Sequence, residues 1–128
     1  MILNTISPSL QDYLEVILNI TEKKGKVRVT DLSAEMNVAK SSVNQAIQRL
    51  MELGLVTHEK YGPLELTSAG ERQAEKVKDR HCHLKDFLTN VLGVDRATAE
   101  KDACAMEHHM SAITLEKLIG FLEKNDQN

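Results

Sequence analysis

Leu55-Val56-Thr57-His58-Glu59-Lys60-Tyr61-Gly62-Pro63-Leu64-Glu65-Leu66-Thr67 is the stretch on which the fold turns. Apolar residues alternate on both sides of Tyr61-Gly62-Pro63, which reads as strand, turn, strand. The meaning of this hairpin comes from what precedes it. Thr30-Asp31 predicts a helix over Asp31 to Met36 with Thr30 as its cap; Asn37-Val38 then makes a tight turn. A longer helix follows from about Lys40 to Leu53, stopped by Gly54. Two helices joined by a short turn are a helix-turn-helix signal, and a hairpin directly behind them is a wing.

Working outward, Ser7-Pro8 is a helix start, with Ser as cap and Pro at the first helical position. Leu10, Tyr13, Leu14, Ile17, Leu18 and Ile20 form its apolar stripe, ended by Lys23-Lys24-Gly25, and Val27 to Val29 is a short extended piece. The order helix, helix, helix, hairpin, helix is that of a winged helix. In the third helix Val43, Ala46, Ile47 and Leu50 face inward with Leu32 and Val38. Lys40, Ser41, Asn44, Gln45, Gln48 and Arg49 face outward. Asn and Gln can pair bidentately with adenine, while Ser and Lys suit phosphate or guanine, so this face is a candidate DNA reader. A solvated helix surface would carry similar residues.

Behind the wing, Ser68-Ala69-Gly70-Glu71 has the capping-box pattern and opens a long helix reaching about Leu92. Val77, Leu84, Phe87, Leu88 and Val91 give it a stripe into which His81 falls, a place where a lone histidine is ordinarily a core residue. Gly93 ends that helix and Asp95 can cap the next. A last helix is expected from about Thr114 to Glu123, with Leu115, Leu118, Ile119 and Leu122 at core spacing, and Asn125 to Asn128 as a frayed tail. One long and two short helices suit a dimerisation lobe. The expected fold is mainly α: a winged helix-turn-helix of three helices and a two-stranded wing over residues 1–70, then a helical metal-binding and dimerisation domain over 71–128.

The fifth helix carries Cys104-Ala105-Met106-Glu107-His108-His109. Residues three and four apart share a helix face, so Cys104, Glu107 and His108 project a thiolate, a carboxylate and an imidazole to one side. That mixed donor set suits iron, cobalt, zinc or manganese better than calcium or magnesium. Three ligands on one helix leave such a site open. Asp12 and Glu15 sit three apart on a flank of the first helix; by themselves they read as a solvated acidic pair near a helix N-terminus.

Composition narrows the classes. Of 128 residues 41% are hydrophobic but only 3% aromatic, with no Trp, so the core is aliphatic. No apolar run approaches the roughly 18 residues of a membrane span, and no segment reads as a signal or transit peptide, so a cytoplasmic protein is expected. Cys82 and Cys104 are too few for a disulfide framework and read as reduced thiols. A net charge of −3 argues against nucleic acid only until its distribution is considered. Lys23 to Lys60 holds seven Lys/Arg against four Asp/Glu, whereas Asp95 onward holds four against seven. The basic half is the half with the helix-turn-helix.

Together these fragments resemble the diphtheria toxin repressor family of metal-activated transcription factors, in particular its short branch of manganese transport regulators. The resemblance spans about Pro8 to Glu123. It rests on Ser9-Leu10-Gln11-Asp12-Tyr13-Leu14-Glu15, Lys40-Ser41-Ser42-Val43-Asn44-Gln45, Glu59-Lys60-Tyr61, Leu66-Thr67-Ser68-Ala69-Gly70, Arg80-His81 and Cys104-x-x-Glu107-His108-His109. It implies no enzyme but a homodimeric repressor that binds palindromic double-stranded operator DNA and controls metal uptake genes when Mn(II) or Fe(II) is bound between its lobes, with Co(II) or Zn(II) as surrogates. It places Asp12, Glu15, His81, Glu107 and His108 at the manganese branch's ligand positions. Cys104 instead agrees with the iron-responsive branch. The better-supported site is Asp12, Cys104, Glu107 and His108, with Glu15 and His81 as a second one. Lys85 stands where a further, ancillary site would need an acid. For DNA the resemblance adds Ser42 and the wing's Lys60 to the outward face of the third helix. The competing reading is a metal-independent winged-helix regulator; a metallohydrolase lacks an evident general base and pocket-forming loops.

Overall fold

The structure, a computed structural model, describes residues 6–126. Among them are six α-helices and two strands, in the order α1 (Pro8–Lys24), α2 (Val29–Met36), α3 (Lys40–Glu52), β1 (Val56–His58), β2 (Leu64–Leu66), α4 (Ser68–Asp86), α5 (Arg96–His109) and α6 (Ala112–Asp126), with a π-helical stretch Phe87–Val91 closing α4. They form two compact units that divide inside α4, between Val77 and Lys78.

The N-terminal unit is the expected winged helix. The Ser7 hydroxyl accepts the Leu10 N–H at 3.3 Å and Pro8 occupies the first turn, so α1 starts where the chain lacks a donor to waste. It ends at Gly25, whose φ of 81° lets its N–H return to the Thr21 carbonyl. Leu14, Ile17, Leu32, Val43, Ile47, Leu50, Leu55 and Leu64 are packed with almost no exposure in one aliphatic core. The hairpin pairs antiparallel with Val56 opposite Leu66 and His58 opposite Leu64. Val27 joins it, its carbonyl accepting the Leu64 N–H at 2.7 Å. The left-handed residue of the turn is Tyr61 (φ 61°), not the neighbouring glycine.

Two caps differ from expectation. Helix α2 begins at Val29, one residue before the predicted Thr30 cap, because the Asp31 carboxylate reaches back to the Arg28 N–H at 2.9 Å and closes the first turn there. Only Val27 of the predicted extended piece is therefore strand-like. Helix α4 is capped by Thr67, not Ser68: the Thr67 hydroxyl accepts the Gly70 N–H at 3.0 Å and donates to the Gly54 carbonyl at 2.7 Å. One side chain thus ties the end of α3 to the start of α4. Gly70 rests directly on the Leu55 backbone, and a Cβ there would overlap the Leu55 carbonyl.

The C-terminal unit is smaller in its core. Leu84, Leu88, Ala99, Ala103, Leu115 and Leu122 are its buried apolar residues, with Phe87, Met106, Leu118 and Ile119 packed against them. Val91, expected on the core stripe of α4, is 69% exposed. The reason is the π-helical stretch: its wider turn, marked by Leu92 N–H to Phe87 carbonyl at 3.2 Å, rotates residues beyond Leu88 off the buried face. Asp95 caps α5 as expected, accepting the Thr98 N–H at 3.0 Å. That hydrogen bond from Thr98 holds the Asp95 carboxyl below the usual carboxylate range. Helix α6 is longer than predicted at both ends, starting at Ala112 behind a Ser111 cap and running through Asp126. The predicted frayed tail is therefore helical up to there, and residues 127–128 lie outside the described residues.

Candidate metal centre and nucleic-acid interface

On α3 the burial pattern follows helical spacing. Val43, Ile47 and Leu50 are buried, while Lys40, Ser41, Ser42, Asn44, Gln45, Gln48 and Arg49 are all exposed. The first four of these polar residues occupy the N-terminal turns, the end that meets base edges in helix-turn-helix proteins. Arg49 pairs with Glu52 at 3.2 Å, an exposed contact weak enough to yield to a phosphate. At the wing, Lys60 is exposed and its ammonium lies 5.5 Å from the centre of the Tyr61 ring, itself 90% exposed. A cation and an aromatic face displayed on a two-stranded arm are suited to a polyanion's backbone.

Asp12 and Glu15 lie on α1 in the N-terminal unit, both half-buried. The remaining candidate ligands belong to the C-terminal unit. On α5 the Cys104 Sγ lies 3.9 Å from His108 Nε2. Sulfur and nitrogen on one tetrahedral ion, at about 2.3 and 2.0–2.1 Å from it, sit roughly 3.5 Å apart, so this pair fits a shared cation with little adjustment. The i, i+4 spacing produces that proximity, and the buried Ala99 and Ala103 turn the opposite side of the helix to the core.

Glu107 and His81 are brought together in a different way. His81 on α4 donates from Nδ1 to Glu107 at 2.9 Å and from Nε2 to Glu100 at 2.8 Å. With a carboxylate on each ring nitrogen it is a double donor, the pattern of an imidazolium. Arg80 reaches the other Glu107 oxygen at 3.4 Å, and Lys85 reaches the other Glu100 oxygen at 3.1 Å. The result is a chain of charges, Arg80–Glu107–His81–Glu100–Lys85. The Glu107 side chain is only 6% exposed, and a carboxylate this deep requires such partners. Burial pushes the Glu100 carboxyl up, but hydrogen bonds from Lys85 and His81 outweigh it and leave the pKa below the usual range. Each Glu107 oxygen keeps a lone pair beyond these contacts, so Arg80 and His81 also orient it as a ligand.

Glu100 went unseen in the sequence reading. The signal was present: it stands four residues before Cys104 and seven before Glu107, on the same helix face. What hid it was the absence of any visible partner, since Lys85 and His81 come from another helix.

Comparison with known proteins agrees with both halves. The family described as iron dependent repressor, N-terminal DNA binding domain, matches residues 5–64. The one described as iron dependent repressor, metal binding and dimerisation domain, matches residues 67–128. An HTH-type transcriptional regulator of Methanocaldococcus jannaschii is 38% identical over 120 residues, covering 93% of this chain and 96% of its own. The HTH-type transcriptional regulator MntR of Lysinibacillus sphaericus is 32% identical over 122 residues, covering 95% and 87%. A solved manganese-dependent transcriptional repressor in complex with manganese superposes with a TM-score of 0.75 at 33% identity, covering 89% of this chain. The chain spans about half the length of that structure, 52%. Among the described residues no helix is long and apolar enough to cross a membrane. With an exposed polar helix and a wing in one unit, candidate metal ligands in the other, and both units matched in order, the chain belongs to the iron-dependent (diphtheria toxin) repressor family, in the branch that includes the manganese regulators: it is a metal-dependent transcriptional repressor, not an enzyme.

Proposed function

We propose that this repressor is a homodimer switched by Mn(II) or Fe(II), with one ion joining Asp12 of α1 to Cys104, Glu107 and His108 of α5. The observation that carries the reading is the Cys104–His108 pair at 3.9 Å, two donors preset on a helix that belongs to the metal-binding domain. Co(II) or Zn(II) can stand in, since a thiolate favours them and two carboxylates keep manganese acceptable. A second, weaker ion on Glu15 and His81 is the competing arrangement, and metal stoichiometry decides between the two.

A bound divalent ion supplies positive charge and a cross-link. Without it, the Asp12 and Glu107 carboxylates resist a common site. With it, the reading helix of each subunit is held at one distance from its twin. Half-sites lie whole helical turns apart, so one spacing fits both major grooves of a palindromic operator. Metal shifts that equilibrium only by its differential affinity, about 1–3 kcal/mol in coupled systems, and operator must tighten metal binding by the same factor. Dimerisation has its own support in α6, where Ile113 (64%) and Phe121 (61%) are exposed beside buried Leu115 and Leu122. Two-fold pairing would cover them. Repression of metal uptake genes follows from an operator bound only when metal is plentiful.

The test is operator binding against Mn(II), Fe(II), Co(II) and Zn(II), in wild type and Asp12→Ala. Metal should raise wild-type affinity about 5–150-fold, and the variant should lose that increase while still binding ions through α5. Full metal activation of Asp12→Ala at unchanged metal affinity would end the bridging reading. Indifference of the wild type to chelator would end metal control altogether.

A further inference from the structure

The charge chain in the C-terminal unit has a second consequence. Two carboxylates converge on the His81 imidazole, Glu107 at Nδ1 (2.9 Å) and Glu100 at Nε2 (2.8 Å), and all three side chains are of the kind that hold divalent cations. Yet both ring nitrogens are engaged by carboxylates, and Glu100, the carboxylate the first ion does not use, is already matched by the Lys85 ammonium at 3.1 Å. An incoming ion would have to displace the Lys85 ammonium, strip two hydrogen bonds from His81, and then share a small space with two positive side chains.

We propose that Lys85 is a tethered cation that occupies this position permanently, so that each chain takes a single divalent ion and His81 serves as a positioning residue for Glu107 instead of a ligand. The inference rests on the one-ion reading of Asp12, Cys104, Glu107 and His108 and adds what becomes of the neighbouring cluster. Its physical basis is local concentration. An ammonium on the same helix as His81, one turn away, is always present, whereas a free ion must compete for ligands whose charge is already neutralised. Through His81 and Arg80 the cluster fixes the Glu107 carboxylate before any ion arrives, removing part of the ordering cost of the first site.

Metal stoichiometry separates this inference from the reading beneath it. The full chain is titrated with Co(II) and bound metal counted per subunit, while thiolate-to-cobalt charge-transfer absorption reports the ion on Cys104. Wild type should bind one Co(II) carrying that band. Lys85→Glu, which replaces the tethered cation by a carboxylate facing His81 and Glu100, should bind a second Co(II) without changing the band. Two ions on the wild type would overturn the tethered cation and leave the proposed function standing. No ion on the wild type would overturn both. One ion on a folded Lys85→Glu protein would show that Lys85 is not what excludes the second. Should circular dichroism show that Lys85→Glu does not fold, the uncharged Lys85→Gln decides. Removing the ammonium alone should then strengthen binding of a second Co(II) at least tenfold over wild type, and no change would overturn the proposal.

Discussion

The two units solve the problem of holding together in different ways. The winged-helix unit closes on one aliphatic core: among the described residues fourteen buried apolar side chains pack in a single cluster, from Ile6 on the entry to α1 through Ala74 on α4. Its ion pairs, such as Lys24–Asp31, sit at the surface. Among the described residues the C-terminal unit has six buried apolar side chains, two of them alanines, and puts a chain of five charged residues where more core would otherwise be. It also leaves Val91, Leu92, Ile113 and Phe121 more than half exposed. The difference matches the division of labour. A DNA reader needs a rigid platform that presents one helix at one angle, which close apolar packing provides. A metal-sensing, dimerising lobe needs ligands that respond to charge and an apolar surface left for its twin.

The comparison breaks most visibly under cavity mutations. Leu50→Ala and Leu84→Ala each remove a fully buried side chain and should cost about 2–5 kcal/mol. Hydrogen exchange should localise the damage: α1–α3 lose protection in the first variant and α5–α6 in the second. The second unit, with less core to spare, should open further. Equal loss across both units in both variants would mean that the two cores are not independent.

On the reading face the contrast is between recognition and attachment. Gln45→Ala should lose about 1–3 kcal/mol of discrimination between operator and mismatched DNA, with little effect on random sequence. Lys40→Ala should weaken binding to every duplex and reduce the salt slope by about one. Matching losses on operator and random DNA from both variants would mean that their roles are misassigned.

The smallest expected effect is at a surface cap. Hydrogen bonds from Lys24 and then from the Arg28 N–H hold the Asp31 carboxyl below its ordinary pKa. A depressed folded value means the contribution is present above the unfolded carboxylate pKa, about 3.9, and is lost as pH falls through the folded one. Asp31→Asn should therefore cost about 1 kcal/mol in urea unfolding at pH 7, with the gap to wild type closing below about pH 4. A gap that persists unchanged in acid would locate the effect elsewhere than in the ionised carboxylate.

Much of this molecule is written locally. The alternation of buried Val43, Ile47 and Leu50 with exposed Ser41, Asn44 and Gln45 follows from the helical period, as does the shared face of Cys104 and His108. Ser7 and Asp95 cap their helices as their positions suggest. Local patterns failed where a neighbour distant in sequence decided the matter. Thr67 displaced Ser68 as cap because the Gly54 carbonyl was within reach of its hydroxyl; Val91 left the core for a local reason, the π-helical turn over Phe87–Val91.

By itself, then, the order of residues determined the winged helix, the outward polar face of α3 and the donor types on α5, because each depends on periods and spacings of a few residues. Only the tertiary structure decided that His81 lies between two carboxylates, that Glu100 belongs to the cluster, and that Lys85 supplies its charge. Those contacts join helices whose partners are up to 27 residues apart, as in Arg80 and Glu107. Electrostatic pairing acts on distance in space, and no pattern along the chain encodes that distance until the core has brought the helices together.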